Sequence, residues 1–115
     1  MALTYDAVTP ALLRDMTDAI VRAVQPLRVV LFGSHARGDA RPDSDVDLLV
    51  IERRPFGAGH SRLDEAGRLW QALSSFFVPK DILVYSDDEV NRWAHSKNHV
   101  TAHALREGRV LYEQR

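Results

Sequence analysis

The sequence predicts an α/β (α+β) domain in which a small mixed β-sheet is flanked by helices. Three short apolar segments, each bounded by glycine, proline or polar residues, have the length and composition of buried strands. Two longer segments repeat apolar residues every three or four positions, as amphipathic helices do. With 115 residues, the chain is most simply one domain over residues 1–115, large enough for a single hydrophobic core.

The first predicted helix has Thr9 as its N-cap and Pro10 at its first position, and Pro26 ends it. Its apolar residues form one buried stripe: Leu12, Leu13, Met16, Ala19, Ile20, Ala23 and Val24. The first strand is expected over residues 27–32, and it stops at Gly33 because glycine allows a sharp turn.

A turn or short helix at residues 34–38 and a loop at 41–43 lead into the second predicted strand, 46–51. This strand is apolar on both faces over most of its length, which favours an interior position in the sheet. Residues 53–61 contain one proline and two glycines and are expected to form a mobile surface loop.

A second amphipathic helix precedes Pro79 and is expected to bury one apolar stripe: Leu63, Ala66, Trp70, Leu73 and Phe77. The third strand is predicted over residues 81–85. After it, Ser86 and Glu89 have the spacing of a capping box, which begins a last helical region. Residues 109–113 are predicted as an optional edge strand.

Composition excludes several classes of function. The chain has no cysteine, which rules out disulfides, thiolate zinc sites and cysteine nucleophiles. Its 15 lysine and arginine residues balance 16 aspartate and glutamate residues, so direct nucleic-acid binding is not expected and any nucleotide contact must be local. We find neither a secretory leader nor an apolar run of membrane-spanning length, which predicts a soluble cytoplasmic protein.

The residues whose types suit ligand binding or catalysis lie between Gly33 and Asp47. A Gly33–Ser34 turn follows the first strand, and its backbone amides can face an anion if a helical turn begins there; His35, in this turn, could touch phosphate. Asp45 and Asp47 open the second strand, where side chains two residues apart project from the same face. Two such carboxylates repel unless a cation lies between them, and hard oxygen ligands suit Mg²⁺ bound together with substrate phosphates.

Asp81 opens the third strand as Asp45 opens the second, so it joins the acid pair if the two strands are neighbours. It could then accept a proton as general base or serve as a further metal ligand. Two metal ions about 4 Å apart could clamp the attacking and leaving oxygens of a phosphoryl or nucleotidyl transfer. Arg37 either holds phosphate or braces the loop by pairing with Asp39 or Asp43.

The pattern Gly33-Ser34, ten intervening residues and then Asp45-x-Asp47 resembles the signature of the DNA polymerase β-like nucleotidyltransferase superfamily. The resemblance is closest to the minimal nucleotidyltransferases. It extends over most of the chain, from the helix before the first strand to the ending at residues 105–112. It implies a polymerase β-like nucleotidyltransferase fold.

The resemblance also implies an activity. Minimal nucleotidyltransferases are usually paired with a helical HEPN-domain toxin, and the best understood ones use ATP and Mg²⁺ to transfer AMP onto a tyrosine of that toxin, which silences it. On this basis the chain is expected to be a nucleotidyltransferase and antitoxin that uses two Mg²⁺ ions. The implied catalytic residues and metal ligands are Asp45, Asp47 and Asp81, and the expected nucleotide-binding residues are Gly33, Ser34, Arg37 and Ser44.

Two alternative functions stay open at the level of sequence. The domain could neutralise a HEPN partner by contact alone, although its three intact acids argue against a vestigial site. It could instead modify a small molecule such as an aminoglycoside. Larger relatives that do so usually carry an extra domain to present the acceptor, and we expect no such domain here.

Several other features have simpler explanations. His95, His99 and His103 recur at four-residue spacing, and a solvated or partner-facing stripe is favoured over a zinc or nickel site. Arg53 and Arg54 are expected to be a solvated pair, with contact to the triphosphate as the alternative. The large aromatic residues are expected in the core, and any exposed one would mark a partner surface: Trp70, Trp93, Phe76 and Phe77.

Overall fold

The structure, a computed structural model, describes residues 5–94 and 99–114. Its strands are β1 (Arg28–Phe32), β2 (Val46–Glu52), β3 (Lys80–Ser86) and β4 (Arg109–Glu113). Its helices are α1 (Pro10–Val24), α2 (Ser34–Arg37), α3 (Arg62–Ala72), α4 (Asp87–Trp93) and α5 (Val100–Glu107). None of the helices in these ranges has the length and apolar content that a bilayer crossing requires.

The strands form one mixed sheet in the order β3-β2-β1-β4. β1 pairs antiparallel with both β2 and β4, whereas β2 and β3 run parallel. The predicted interior position of the second strand is confirmed, and so is the edge strand at residues 109–113. The predicted class, a small mixed sheet flanked by helices, is therefore correct.

Helices cover both faces of the sheet. On one face, Ile20 of α1 and Leu69 of α3 pack against Leu48 of β2 in the larger core cluster. On the other face, Val90 of α4 and Ala104 of α5 belong to a second cluster. The sheet thus forms the middle layer of the domain.

The side chains of β2 alternate between these two faces. Leu48 and Val50 belong to the cluster beneath α1 and α3, whereas Leu49 and Ile51 belong to the cluster beneath α4 and α5. The same alternation places Asp47 on the α4 and α5 face, at the beginning of the strand.

Two predicted helix starts are confirmed. The Thr9 hydroxyl oxygen accepts a hydrogen bond from the Leu12 amide (3.1 Å) and caps α1. Ser86 and Glu89 form the predicted capping box at the start of α4, in which the Glu89 carboxylate accepts from the Ser86 amide (2.9 Å). These contacts satisfy amides that have no partner in the first turn of a helix.

The second predicted helix is wrong in its length and in part of its buried stripe, although Leu73 is buried and Ala66 packs against the core as predicted. α3 ends at Ala72, seven residues before Pro79, and turns follow it. Leu63 is 81% exposed, and Trp70 and Phe77 are each 45% exposed. The buried positions of the segment before Pro79 are Glu65, Leu69, Leu73 and Val78. The buried face of α3 thus includes Glu65, a position that the apolar pattern assigned to solvent.

Two aromatic residues expected in the core lie at the surface. The Lys80 ammonium lies 5.9 Å from the ring centroid of Trp70. Phe77 stacks on Tyr5 with a centroid distance of 5.1 Å. Phe76, by contrast, packs against the larger core cluster as expected.

The loop over residues 53–61, expected to be mobile, is tied by hydrogen bonds. Gly57 and His60 exchange two backbone hydrogen bonds of 3.0 Å each. The Arg54 guanidinium donates to the Gly59 carbonyl (3.2 Å). The loop therefore holds His60 in a defined position near the end of β2.

Candidate active site

Three aspartates meet at one end of the sheet. Asp45 immediately precedes β2, and Asp47 and Asp81 are the second residues of β2 and β3. Because these strands are parallel, Asp47 and Asp81 are direct partners in the register. Asp45 lies two residues before Asp47, and its negative charge acts on the Asp47 carboxyl. The structure therefore places the three acids that the sequence singled out at the same end of the sheet, with Asp45 and Asp81 near enough to act electrostatically on Asp47.

The electrostatics of Asp47 reflect this crowding. Burial raises the pKa of the Asp47 carboxyl above its usual value, and the carboxylates of Asp45 and Asp81 raise it further. The positive charges of His35 and Arg37 oppose this increase in pKa. A divalent cation among the three carboxylates would remove their repulsion. A set of donors made only of oxygen atoms fits Mg²⁺, the metal expected from the sequence.

The acids are accessible from solvent. Asp45 and Asp81 are exposed, and Asp47 is half-buried. An acceptor group carried by a macromolecule can therefore reach the carboxylates without first entering an enclosed cavity.

Gly33 lies beside Asp47, where β1 ends. Its φ angle is 74°, in the left-handed region that residues with a side chain rarely adopt. A Cβ atom added at Gly33 would collide with Oδ2 of Asp47. The glycine expected to form a phosphate-binding turn is thus also required by the neighbouring carboxylate.

Ser34 begins α2, so a short helix and not an open turn follows Gly33. The Gly33 carbonyl accepts hydrogen bonds from two amides of α2, each 3.1 Å long. Gly38 closes the turn, and its amide donates to the Ser34 carbonyl (2.9 Å). The first amides of a helix have no carbonyl partner within it, so the Ser34 amide can face an anion.

Ser44, expected to bind the nucleotide, also organises the loop before Asp45. Its hydroxyl oxygen accepts a hydrogen bond from the Arg41 amide (2.8 Å), and its own amide donates to the Arg41 carbonyl (3.0 Å). Its carbonyl oxygen lies 3.1 Å from Nε2 of His35. The sequence suggested only a phosphate contact for His35, because spacing alone does not indicate that the ring ties α2 to the residue before Asp45.

Two carboxylates hold Arg37. Its Nε lies 3.4 Å from Oδ2 of Asp39, and its Nη1 lies 3.5 Å from Oε2 of Glu107 in α5. The loop brace through Asp39 is therefore formed, and the Arg37 side chain remains 47% exposed. Sequence reasoning missed Glu107, because a pairing across 70 residues leaves no local signal.

The three histidines do not form one helical stripe. His95 lies outside the described residues. His99 is the N-cap of α5 with an extended backbone (φ −85°, ψ 138°), and its Nδ1 accepts a hydrogen bond from the Thr101 amide (3.1 Å). His103 is exposed on α5. The continuous helix that the stripe requires is excluded by the extended conformation of His99.

Arg53 and Arg54 lie beyond the end of β2, at the opposite end of the strand from Asp47. The Arg53 guanidinium donates to the side chain of Gln114 (2.8 Å), and Arg54 donates to the carbonyl of Gly59 (3.2 Å). This position does not support the alternative in which the pair contacts a triphosphate at the aspartates.

Comparisons with known proteins agree with this geometry. The sequence pattern of the family described as nucleotidyltransferase domain matches residues 13–113. A proposed protein adenylyltransferase from Methanocaldococcus jannaschii is 33% identical over 88 residues, which are 74% of this chain and 77% of that protein. The solved structure of a proposed minimal nucleotidyltransferase is 32% identical with a TM-score of 0.51, covering 86% of this chain and 88% of that one. The crystal structure of a toxin–antitoxin with AMP-PNP has the same fold at 19% identity and a TM-score of 0.55, covering 89% and 74% of the two chains.

Proposed function

Because the chain belongs to the nucleotidyltransferase domain family, we propose that it transfers AMP from ATP to a tyrosine hydroxyl of a HEPN toxin and so acts as an antitoxin. The observation that carries this proposal is the position of Asp47 and Asp81 as partners on adjacent strands, with Asp45 directly before the first of these strands. The relative described as a proposed protein adenylyltransferase supports AMP transfer to a protein. The toxin–antitoxin solved with AMP-PNP supports a toxin as the partner.

The proposed reaction is an in-line displacement at the α-phosphorus of ATP. The tyrosine oxygen forms a bond to the α-phosphorus, while the bond from that phosphorus to the oxygen bridging to the β-phosphate breaks. Pyrophosphate leaves with the electron pair of the broken bond. The hydroxyl proton passes to the carboxylate of Asp81, which acts as general base.

Asp45 and Asp47 are the proposed ligands of Mg²⁺, because they form the crowded acid pair at the start of β2. When bound, Mg²⁺ supplies Lewis-acid stabilisation of the charge on the phosphate oxygens. Asp81 is exposed beside Asp47, so an acceptor hydroxyl arriving from solvent can reach its carboxylate.

The triphosphate is proposed to bind along the turn after β1. Gly33 has no side chain to hinder approach, and the amide of Ser34 can donate to a phosphate oxygen. Arg37 is half exposed and can contribute positive charge. The Ser44 hydroxyl accepts one hydrogen bond from the loop and can still donate its own hydrogen to a phosphate.

The exposure of Asp45 and Asp81 supports a macromolecular acceptor over a small one. Small-molecule sites are usually enclosed pockets that surround most of the ligand. We therefore expect no AMP transfer when the protein is incubated with ATP, Mg²⁺ and aminoglycosides in the absence of a protein partner.

Coexpression with the toxin encoded by the neighbouring open reading frame tests the proposal. Wild-type protein is expected to neutralise the toxin and to increase its intact mass by one or more AMP units. The Asp45→Asn, Asp47→Asn double variant is expected to lose both effects. The matched control changes two exposed aspartates outside the site, Asp18→Asn with Asp64→Asn, and should retain both.

Full neutralisation by the Asp45→Asn, Asp47→Asn variant, with no change in the mass of the toxin, would contradict catalysis. That result would instead identify an antitoxin that acts by contact alone.

A further inference from the structure

A second group of metal-ligating side chains lies far from the three aspartates. Glu52 is the last residue of β2, His60 lies in the loop that follows, and Glu65 is in the first turn of α3. One ligand atom from each lies within 4.8 Å of the others. Glu52 is five residues beyond Asp47, or about 17 Å along the strand, and points to the opposite face. This group is therefore separate from the candidate active site.

These side chains are enclosed without being fully paired. The side chains of Glu52, His60 and Glu65 are 6%, 12% and 8% exposed. Within the described part of the chain, Oε2 of Glu52 has no hydrogen-bond partner, and Nε2 of His60 lies near Oε1 of Glu52 without forming a hydrogen bond to it. A buried polar atom without a partner costs free energy, so a ligand that satisfies both atoms would be favourable.

The carboxyl groups of Glu52 and Glu65 are buried near each other, and Arg53 and Arg54 are among the residues that line the adjoining cavity. Burial and the neighbouring Glu65 raise the pKa of Glu52 to about 8. Nη1 of Arg68 lies 3.3 Å from Oε1 of Glu65, and its charge opposes this increase only in part. A cation between the carboxylates would allow both to be ionised.

The loop holds the imidazole of His60 in position. Two backbone hydrogen bonds join His60 to Gly57, and the ring stacks on Phe56 with a centroid distance of 4.8 Å and an interplanar angle of 5°. Nε2 of His60 lies 3.3 Å from Oε1 of Glu52. This separation is close to that of two ligands placed tetrahedrally about 2.0–2.2 Å from a zinc ion.

We propose that Glu52, His60 and Glu65 bind a Zn²⁺ ion that ties the loop of residues 53–61 and α3 to the end of β2. Zinc accepts one imidazole nitrogen and two carboxylate oxygens, with water as a fourth ligand. A cavity of about 400 Å³ adjoins all three side chains and gives solvent access to that fourth position. The imidazole ligand favours zinc over Mg²⁺, which is bound mainly by oxygen.

Competition with a chromophoric zinc chelator measures binding to the full chain, with excess Mg²⁺ present to occupy the aspartates. Wild-type protein is expected to bind one equivalent of Zn²⁺. Glu52→Gln and His60→Gln are each expected to weaken the affinity at least about 100-fold. The control His103→Gln changes an exposed histidine of α5 and should leave the affinity unchanged.

Thermal unfolding in EDTA establishes that each variant is folded, and added Zn²⁺ should raise the Tm of the wild type but not that of His60→Gln. A wild-type protein that binds no zinc would overturn the proposal. Unchanged zinc affinity in both Glu52→Gln and His60→Gln would overturn it as well. Loss of the zinc in Asp45→Asn, Asp47→Asn protein would also contradict it, because the ion would then occupy the aspartates.

Discussion

The carboxylate of Asp47 occupies the space that a side chain at position 33 would need. Gly33 is also the residue at which the chain leaves β1 with a φ of 74°. Position 33 therefore requires glycine for two reasons: its backbone conformation and the space that the Asp47 carboxylate occupies. Gly38 has a similar φ of 86°, but an added Cβ atom there would meet no atom within 4 Å.

The backbone requirement is also stronger at Gly33, whose ψ of −156° lies in a region essentially restricted to glycine, than at Gly38, whose ψ of 12° is ordinary left-handed backbone. Both Gly33→Ala and Gly38→Ala place alanine at a positive φ, which costs about 1 kcal/mol or more of unfolding free energy, and the backbone cost is greater at position 33. Gly33→Ala should cost at least about 1 kcal/mol more than Gly38→Ala and reduce AMP transfer about 100-fold, because Asp47 must move. Urea unfolding and a transfer assay measure the two effects. Equal losses in both variants would show that contact with Asp47 is unimportant.

The raised pKa of Asp47 makes a prediction for the metal-free protein. Asp45→Asn should lower the pKa of Asp47 towards its usual value of 3.8, although burial, the largest cause, will keep it above that value. NMR titration of the Asp47 carboxyl carbon in EDTA measures the change, and Asp43→Asn is the control. A pKa of Asp47 that does not fall in Asp45→Asn would contradict the crowding of these acids.

The sign of the linked effect on stability follows from the direction of the shift. Because the native pKa of Asp47 lies above the unfolded value, the native state binds the proton more tightly. Ionisation of Asp47 thus lowers the stability of the metal-free fold as the pH rises from the unfolded pKa through the native pKa. Asp45→Asn should reduce this loss.

At the scale of elements, the start of α4 is joined to the start of α3 through one ion pair. The Arg62 guanidinium contacts the Glu89 carboxylate and donates to the Val84 carbonyl (2.7 Å). Burial opposes ionisation of Glu89, but hydrogen bonds from Arg62 and Ser86 outweigh it and lower the pKa of Glu89. Glu89 therefore both caps α4 and connects α4 to α3 through Arg62.

Glu89→Gln is expected to lower the free energy of unfolding by about 1–2 kcal/mol at neutral pH, through loss of the ion pair and part of the cap. Because the native pKa of Glu89 is lowered, this difference should shrink as the pH falls from 4.5 through the native pKa. Chemical denaturation at several pH values measures it. The exposed control Glu113→Gln should change stability by less than about 0.5 kcal/mol. A Glu89→Gln effect that persists unchanged in acid would contradict this account.

The strands were predictable because each is a short apolar run with clear boundaries, as in residues 46–51. α1 was predictable because Thr9 and Pro10 are strong local signals for a helix start. α3 was predictable only in part, since its buried face includes Glu65, a charged residue that does not belong to its apolar pattern. Sequence periodicity predicts local structure, but it does not predict the burial of a polar residue that arises from tertiary contacts.

At the scale of the whole molecule, the aspartates of the site were identifiable from residue type and spacing. Asp81 lies beside Asp47 because β2 and β3 are neighbouring parallel strands. From the sequence, this pairing could be stated only as a condition. The contacts of Arg37 with Glu107 and of Glu52 with His60 join distant or loop residues and were not predicted. Such pairings depend on the complete fold and leave no periodic pattern.

The domain holds its three aspartates at a solvent-accessible end of the sheet, where the proposed transfer of AMP from ATP to a protein acceptor would take place. The most direct test incubates the protein with Mg²⁺, the partner toxin and ATP labelled at either the α- or the γ-phosphate. The α-label should appear on the toxin and the γ-label in pyrophosphate, and the Asp45→Asn, Asp47→Asn variant should give neither. Transfer of the γ-label to the toxin, or equal α-labelling by the double variant, would contradict the account.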